Sequence, residues 1–432
     1  MDMEPLRDGQ TAVIIGGGPG GAACGLALLK LARSLGRQIR VVLYDGKAFV
    51  GETHYNQCVG VLSPPIQDIL AQLDVPFPHH LLQREIHTYV LHGERRQIRL
   101  TSQDEISYAV RRVQFDAYML DQVRARGVEV RESRVTDVEF LPDRVNVYAE
   151  GSNCEAAVIF GAFGLDAGTA AILVQATPYR PPRFLTSLVT KIHPPPKTMN
   201  QFGNDIHAFL PRDPQIEFGA VTPKGNHLTV NLAGARVDSR HMDAFLNYPP
   251  LRQLLSFADP EHPCNPKDFI YYRGRFPISI ARNFYGDRYV CLGDAAGLVR
   301  AFKGKGVNSA CQTAVWAAET ALKVGISRLA FDNHYRPACH LILNDLPYGR
   351  AIRRLAIVGS RLGLMDHLIA IAEQEPVLQH ALFDAVSAHR SYQAITADVL
   401  HLPVLIRLIY AFVKLRFGRD LISSTTGQVT RL

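Results

Sequence analysis

The chain has 432 residues, of which 47% are hydrophobic and 20% charged, and it carries a formal net charge of +7 at pH 7. This length exceeds one hydrophobic core, so two or three compact units are expected, and the composition excludes a disordered or fibrous protein. The positive charge suits anionic ligands or lipid, but no short block of Lys and Arg stands out, so nucleic acid is not an expected partner.

The cysteines and the apolar segments indicate a cytoplasmic protein. Seven cysteines are scattered without a C-x-x-C spacing, which favours reduced thiols and gives no zinc pattern. His54, His79 and His80 form no ligand pattern with acids or thiols, so no metal is expected. The N-terminus has no signal pattern, and no uninterrupted apolar stretch reaches the ~18 residues of a spanning helix.

The segment TAVIIGGGPGGAACGLALLKLARSLG at 11–36 predicts a strand, a glycine turn and a helix. Gly16, Gly18 and Gly21 form G-x-G-x-x-G in the setting that a dinucleotide fold requires, and Gly20 lies in the same turn. Such a turn lets the backbone approach a pyrophosphate at the positive end of the helix.

A second strand, IRVVLYD at 39–45, ends in an acid. Asp45 lies 24 residues after Gly21 (45 − 21), near the position where a carboxylate accepts hydrogen bonds from an adenosine ribose. A glycine-rich turn followed by a surface Asp is the alternative. The combination of strand, helix and acid favours dinucleotide binding.

Residues 166–270 lose the β-α-β rhythm and alternate apolar with polar residues, which predicts an antiparallel sheet lying over the nucleotide unit. Its face would form the wall of a substrate pocket. The aromatic side chains that are candidates for lining it are Phe209, Phe218 and Phe276, with plain core packing as the alternative. The candidates for meeting a polar end of the substrate are His207, His227, Lys303 and Lys305, with solvated surface as the alternative.

A second glycine-rich turn follows RYVCLG, which predicts a buried strand at 288–293, and precedes an Ala-rich helix at 306–322. Asp294 then lies at a strand end, where a carboxylate holds a ribityl or ribose hydroxyl. The backbone N–H groups of Val307 and Asn308 would point out from the helix start, which stabilises an anion. A flavin needs such a dipole near N1 on reduction; a second phosphate loop or a plain turn is the alternative.

The chain after residue 335 predicts helices, because apolar residues recur at steps of three and four. Near its end, LPVLIRLIYAFVKLRFGR at 402–419 predicts a basic amphipathic helix. Such a helix is able to lie in a membrane interface, which would make the protein membrane-associated; a terminal helix docked on the core is the alternative.

The paired motifs GxGxxG and GDAAG resemble those of FAD enzymes with the para-hydroxybenzoate hydroxylase fold, and most closely those of the geranylgeranyl reductases. Four further segments support this resemblance over roughly the first 330 residues. They are QCVGVLSP (57–64), RRVQFDAYML (111–120), IEFGAVTPKGNHLTVNLAG (216–234) and GRFPI (274–278).

The resemblance implies an FAD site whose residues are spread over these motifs. They are Gly16, Gly18, Gly20 and Gly21 for the pyrophosphate, Asp45 for the adenosine ribose, Val135 for adenine, Arg112 for a further FAD contact, Gly293 and Asp294 for the ribityl and pyrophosphate region, and Gly304, Gly306, Val307 and Asn308 for the isoalloxazine pyrimidine.

The resemblance also places Cys58 near the flavin ring. A thiol there is able to donate a proton to carbon if its surroundings tune its pKa, so Cys58 is the predicted catalytic residue. A small buried hydrophobe is the alternative.

The sequence departs from the motifs of two groups of enzymes with this fold, and each departure speaks against one reaction. Where the hydroxylases of this fold carry an Asp-Gly pair, this chain has Phe163 before Gly164, which speaks against ordinary NADPH-driven hydroxylation. The W-x-W-x-I-P motif of the flavin halogenases is absent, since Trp316 is the only tryptophan, which speaks against halogenation.

The predicted fold class is α/β: a Rossmann-type FAD-binding domain interleaved with an antiparallel β-sheet substrate domain, plus a C-terminal helical region. The predicted segments are 1–75, 100–165 and 271–335 for the first, 76–99 and 166–270 for the second, and 336–432 for the third.

The leading functional hypothesis is an FAD-dependent oxidoreductase that reduces carbon–carbon double bonds, and the resemblance implies an isoprenoid or similar apolar substrate. The alternatives are an FAD-dependent monooxygenase acting on an apolar or aromatic compound and a flavoprotein that holds a lipid without turnover. The sequence does not choose among NADPH, ferredoxin and a quinol as the electron donor.

Overall fold

The computed structural model of the protein describes residues 3–46, 58–102, 105–258, 269–300, 306–387, 390–401 and 406. The predictions made for Gly304, Lys303 and Lys305 lie outside these residues. So does the predicted amphipathic helix at 402–419, apart from Ile406.

The described strands are, in chain order, β1 (Thr11–Ile15), β2 (Arg40–Tyr44), β3 (Val61–Leu62), β4 (Leu82–Ile86), β5 (Thr88–His92), β6 (Gln97–Thr101), β7 (Ser107–Val110), β8 (Glu129–Arg131), β9 (Val135–Phe140), β10 (Val145–Ala149), β11 (Cys154–Ala156), β12 (Val158–Gly161), β13 (Phe184–Ile192), β14 (Asp205–Phe209), β15 (Phe218–Pro223), β16 (Leu228–Gly234), β17 (Tyr272–Pro277), β18 (Tyr285–Gly286) and β19 (Tyr289–Cys291).

The described helices are α1 (Pro19–Ser34), α2 (Ile66–Gln72), α3 (Arg112–Ala125), α4 (Ala167–Ala176), α5 (Pro196–Phe202), α6 (Ser239–Leu246), α7 (Pro249–Ala258), α8 (Gly293–Ala296), α9 (Gly306–Lys323), α10 (Arg328–Ala330), α11 (Arg336–Ala338), α12 (His340–Arg361), α13 (Met365–Ala372), α14 (Pro376–Ser387) and α15 (Tyr392–Leu400).

A sheet in the order β18-β19-β12-β1-β2-β8 forms the centre of the first unit. The pairs β12–β19, β1–β12, β1–β2 and β2–β8 are parallel. Its central strands are runs of Val, Ile and Leu because they are buried in a core shared with α1, α9 and the three-stranded sheet of β9, β10 and β11. The carboxyl ends of β1, β2, β12 and β19 meet at one edge, where open α/β sheets bind their ligands.

A second sheet, in the order β17-β13-β16-β15-β14-β5-β6, is antiparallel except for the β14–β5 pair. Alternation divides its residues between two faces. Val221, Val230 and Leu232 face a core shared with α5, α6 and α7, which we call the helix-covered face. Residues between them on β15 and β16 face the other way, and we call that the inner face.

The α/β architecture with an antiparallel sheet and C-terminal helices confirms the predicted fold class. One assignment needs correction. Residues 272–277, which the predicted division gave to the FAD-binding domain, form β17, and β17 pairs with β13 over the register from Phe184–Pro277 to Val189–Tyr272. A short strand with no apolar run gives no local sign of the sheet in which it will pair.

The C-terminal helices are fixed on the second sheet by polar contacts. Arg353 of α12 and Glu217, both largely buried, form a bidentate ion pair with distances of 2.7 and 2.6 Å. The Ser360 hydroxyl donates to the Leu210 carbonyl at 2.6 Å. Asp366, at the start of α13, accepts the backbone N–H of Arg96 at 3.1 Å. These contacts hold α12 and α13 in a fixed place beside the inner face.

Two candidate pocket residues lie in the core instead. Phe209 is 1% exposed and stacks on His92 at a ring distance of 4.4 Å, and His207 shares a 2.8 Å hydrogen bond with His92. Both belong to the helix-covered face. Phe209 therefore takes the core-packing alternative and His207 is buried rather than solvated, because β14 presents these alternate residues away from the inner face.

None of the described helices is by itself long and apolar enough to cross a membrane. Helices α12 and α13 taken together reach that length and composition, but the pair is bent by 113°.

The buried pair His92 and His207 predicts acid sensitivity. Burial lowers the pKa of His92 to about 4 and that of His207 to about 3. Because the unfolded chain takes up these protons near pH 6.5 and the folded chain does not, stability is full above that pH and falls below it. We expect the free energy of unfolding, measured with urea, to fall by about 2–4 kcal/mol from pH 7 to pH 5.

The double variant His92→Leu/His207→Phe should lose most of this pH dependence. His87→Gln, at a more exposed histidine, serves as the control and should keep it. An unchanged dependence in the double variant would show that other groups cause the acid sensitivity.

Candidate functional site

The first glycine turn is shaped by contacts that admit no side chain. Gly16 has φ +110°, and a Cβ there would lie 2.5 Å from the Ala162 carbonyl oxygen. A Cβ at Gly21 would lie 1.8 Å from the Gly16 carbonyl oxygen. Gly18 differs, because no atom of the described residues lies within 4 Å of the place where its Cβ would be. The turn is therefore tight on the protein side and open at the N-terminus of α1, where an anion is favoured.

Asp45 follows β2 at the same edge of the sheet. Its Oδ2 accepts the Gly17 backbone N–H at 2.9 Å, which fixes the carboxylate beside the turn. Gly46 lies against Arg134, since a Cβ on Gly46 would be 3.1 Å from the Arg134 Cβ, so Val135 at the start of β9 is next to this end of the site. This arrangement matches the expected adenosine end, and the roles of Asp45 and Val135 stay predictions.

The second glycine turn follows β19. Gly293 has φ +49°, and its N–H donates to the Thr313 hydroxyl of α9 at 3.0 Å. A Cβ on Gly306 would lie 3.7 Å from Asp294 Oδ1, so the strand end and the start of α9 are adjacent. The predicted helix is confirmed at Gly306–Lys323.

The two turns are brought together by close packing of α1 on α9. A Cβ on Gly20 would be 3.2 Å from the Ala310 Cβ, and one on Gly293 would be 2.8 Å from the same atom. The Cys311 thiol lies 3.5 Å from the Pro19 carbonyl oxygen. Residues 292 positions apart therefore share one corner of the molecule.

Asn308 has a role that the sequence did not reveal. Its side-chain amide donates to the Ser63 carbonyl at 2.9 Å and to the Pro64 carbonyl at 3.3 Å. Asn308 and Val307 are both nearly buried. Asn308 thus ties the first turn of α9 to the segment that follows Cys58.

Arg112 is held in place by Asp116, with Nε to Oδ1 at 2.9 Å and Nη2 to Oδ2 at 3.2 Å. Burial disfavours its charge, but Asp116, Cys58 and Asp294 together raise the Arg112 pKa above its usual range. Burial also raises the pKa of Asp294 to about 6, and Arg112 opposes that shift. The structure therefore brings Arg112 and Asp294 into one electrostatic cluster with Cys58.

Lys224 joins this cluster and was not predicted. It follows β15, is 3% exposed, and its Nζ donates to the Val110 carbonyl at 2.9 Å. A Cβ on Gly60 would lie 2.8 Å from that Nζ. Burial lowers the pKa of Lys224 to about 8, with Cys58 opposing the shift and Lys191 among the cations that add to it. Lysines are almost never this buried, and such groups are functional-site candidates.

The residues next to Lys224 in the sequence do not predict that its side chain is buried. PKGNH is typical of a solvated turn. In the structure the Gly225 N–H donates to Gln83 Oε1 at 3.2 Å and Arg84 Nε donates to the Lys224 carbonyl at 3.3 Å, so the turn is docked on β4. That contact spans 140 residues, and no local pattern predicts it.

Aromatic side chains border the same interior. Phe218 and Phe276 are half-buried with ring centroids 6.0 Å apart, as expected for a pocket wall. Phe163 is buried and packs against Tyr179 at 6.1 Å. Its Cα would be 2.9 Å from a Cβ on Gly16, so the backbone of this departure from the hydroxylase pattern lies at the first turn, whereas its ring lies beside Gly161.

No protein-family model matches the chain, and no curated protein matches its sequence. Solved structures do share its fold. A geranylgeranyl bacteriochlorophyll reductase-like protein from Thermoplasma acidophilum has a TM-score of 0.65 at 17% identity, over 94% of this chain and 100% of that one. A flavoprotein/dehydrogenase from Cytophaga hutchinsonii has a TM-score of 0.65 at 16% identity, over 95% and 100%.

A p-nitrophenol 4-monooxygenase from Pseudomonas putida has a TM-score of 0.59 at 14% identity, over 95% of this chain and 99% of that one. The likeness to these three proteins shows a shared fold. It confirms at that level the expected resemblance to the geranylgeranyl reductases.

Lys224 provides a test of the site. Replacement by Met should raise the free energy of unfolding at pH 7 by about 1–3 kcal/mol, because the cost of burying the ammonium disappears. The wild-type chain should also gain stability between pH 8 and 10.5, where only the unfolded chain still holds the proton, and Lys224→Met should lack that gain. Urea unfolding measures both.

The matched control is Lys323→Met, at an exposed lysine paired with Glu319. Its stability should change by less than about 0.5 kcal/mol. A Lys224→Met chain that is less stable than the wild type would mean that Lys224 is a structural anchor.

Proposed function

We propose that the chain is an FAD-dependent oxidoreductase that reduces carbon–carbon double bonds of an apolar, isoprenoid-like substrate. The observation that carries the proposal is the convergence of the two glycine turns with Asp45 and Asp294 at one edge of the parallel sheet. One turn suits a pyrophosphate, and the other offers the N-terminus of α9 to a ring that gains negative charge.

The residues present fit FAD. The open space at Gly18 leaves room for phosphate oxygens beside the N–H groups of α1. Asp45 is oriented by the Gly17 N–H, which supports its assignment to a ribose. At the other end, Asp294 and the start of α9 are adjacent, and Arg112 supplies a fixed positive charge near them.

The protein would complete the reduction by supplying a proton. FAD that an external donor has reduced would supply a hydride, so saturation of a double bond would need one further proton. Cys58 is exposed at the end of a described segment, and Lys224 lies close enough to interact with it electrostatically. These two side chains are the proposed proton source and its electrostatic neighbour.

The likeness to the Pseudomonas monooxygenase supports a second candidate, an FAD-dependent monooxygenase acting on an apolar or aromatic compound. The same fold accommodates both reactions. A buried Phe163, whose Cα lies at the first turn and which stands where the hydroxylases carry an Asp, favours the reductase.

Anaerobic turnover distinguishes the candidates. The chain saturated with FAD and reduced with dithionite should reoxidise its flavin when geranylgeraniol is added and should yield a product with two more hydrogen atoms for each bond reduced, seen by mass spectrometry. A product formed only in air, with oxygen from labelled O₂, would establish the monooxygenase. Absence of any product in both conditions would contradict catalysis and leave a lipid carrier.

Cys58→Ala tests the proton source. FAD content and flavin reduction should be unchanged, while the rate of product formation should fall about 10²–10³-fold, as for loss of a general acid. Cys154→Ala removes a thiol in the three-stranded β9–β11 sheet and is the control with a wild-type rate. A Cys58→Ala chain that retains the full rate would exclude this thiol as the acid.

A further inference from the structure

The inner face of the second sheet carries a strip of polar side chains. Thr222 of β15 and Thr229 of β16 lie directly opposite each other, so their Cβ atoms are about 5 Å apart. Asn231 lies two residues further along β16 and therefore on the same face. All three are buried, with exposed fractions of 0%, 1% and 6%.

Each of these side chains has a polar atom without a partner among the described residues. Thr222 Oγ1, Thr229 Oγ1 and Asn231 Oδ1 are withdrawn from solvent and make no hydrogen bond there. Elsewhere in the same sheet, buried hydroxyls are paired: Thr190 Oγ1 donates to the Ile270 carbonyl at 3.0 Å, and Thr88 bonds to Thr101 at 2.9 Å. Buried polar groups in native proteins are nearly always satisfied, so three adjacent exceptions indicate a ligand that completes them.

His227 extends the strip at the end of β16. It is 4% exposed, its Nδ1 contacts Asn226 Oδ1 at 3.1 Å, and its Nε2 has no partner in the described part of the chain. Because a carbonyl oxygen accepts only, Nδ1 carries the proton and Nε2 is left as an acceptor. Burial, with Lys224 and other cations nearby, lowers the pKa of His227 to about 3, so the ring stays neutral.

The strip lies in a wall that faces the candidate site, is apolar beside Asn231 and carries Lys191 opposite Thr229. Asn231 has Val189 and Ala220 as its cross-strand neighbours. Tyr89, on the same face two strands from β15, donates to Ser107 Oγ at 3.0 Å, and Ser107 donates to Ser63 Oγ at 3.2 Å. Ser63 is the residue whose carbonyl accepts from Asn308, so this face is connected to the first turn of α9.

We propose that Thr222, Thr229, Asn231 and His227 form a binding subsite for a hydroxyl group carried by an otherwise apolar substrate. This inference rests on the proposed function and names the substrate class, a long-chain isoprenoid alcohol. Apolar contact with the wall would provide affinity, and the strip would fix which end of the chain lies at which end of the pocket.

The mixture of donors and acceptors selects a hydroxyl. The two threonine hydroxyls donate or accept, whereas Asn231 Oδ1 and His227 Nε2 only accept. A hydroxyl accepts from a threonine hydroxyl and donates its one hydrogen to one of the two acceptors, Asn231 Oδ1 or His227 Nε2. An ether has no hydrogen to donate and would leave both acceptors unpaired, which is unfavourable in a buried site.

Binding to the FAD-loaded chain tests the subsite with three probes: geranylgeraniol, its methyl ether and geranylgeranyl diphosphate. Calorimetry should show the alcohol binding about 10-fold or more tightly than the ether, as for one buried hydrogen bond with its unpaired acceptor. Equal affinity of alcohol and ether, or tighter binding of the diphosphate, would overturn the proposal.

Threonine variants distinguish ligand binding from a purely structural role of these side chains, because the two roles predict opposite changes in Tm. Thr229→Val and Thr222→Val should each raise the Tm of the ligand-free chain, because a buried hydroxyl without a partner is removed, and should weaken geranylgeraniol binding about 10-fold. The matched control Thr190→Val loses a paired hydroxyl on the helix-covered face. It should lower the Tm and leave the affinity for the alcohol unchanged.

Failure of this inference differs from failure of the proposed function. If the wild-type chain reduces geranylgeraniol but Thr229→Val and Thr222→Val bind and turn it over as the wild type does, the subsite is wrong and the reductase stands. If the chain binds the alcohol through the strip but reduces nothing, the subsite stands and the activity is wrong.

Discussion

Helices α1 and α9 touch through residues with almost no side chain, and the candidate site depends on that contact. Gly20, Gly293 and Ala310 meet where any larger group would separate the helices. The close approach sets the N-termini of both helices at the same edge of the parallel sheet. Two partial positive charges then face one region, which neither motif would achieve alone.

The other polar groups of the site are buried although their burial is unfavourable for folding. Lys224 is an ammonium with a lowered pKa, Asp294 is a carboxyl with a raised one, and the buried hydroxyls of Thr222 and Thr229 have no partner among the residues that the structure describes. A core chosen for stability alone would replace most of them by apolar residues of similar size. Their concentration around one interior is what distinguishes this region from the hydrophobic cores beside it.

The sequence predicts the parts of this arrangement that depend on neighbours in the chain. The strand, turn and helix around Gly16 and the helix after Gly306 follow from glycine spacing and apolar periodicity. The burial of Lys224, the pairing of His207 with His92 and the membership of Tyr272–Pro277 in the second sheet depend on contacts between distant segments. The sequence of a turn does not show whether its lysine will be covered by another segment. The sequence of an alternating strand does not show which sheet the strand will join.

The central claim is that the two turns hold opposite ends of one FAD molecule, and a comparison of FAD with FMN tests it most directly. FMN has the flavin ring and one phosphate but lacks the adenosine end expected at Asp45. Equilibrium dialysis should show one FAD bound per chain and FMN bound at least about 100-fold more weakly, as for the loss of several hydrogen bonds. Equal binding of FAD and FMN, or no binding of either, would contradict the account.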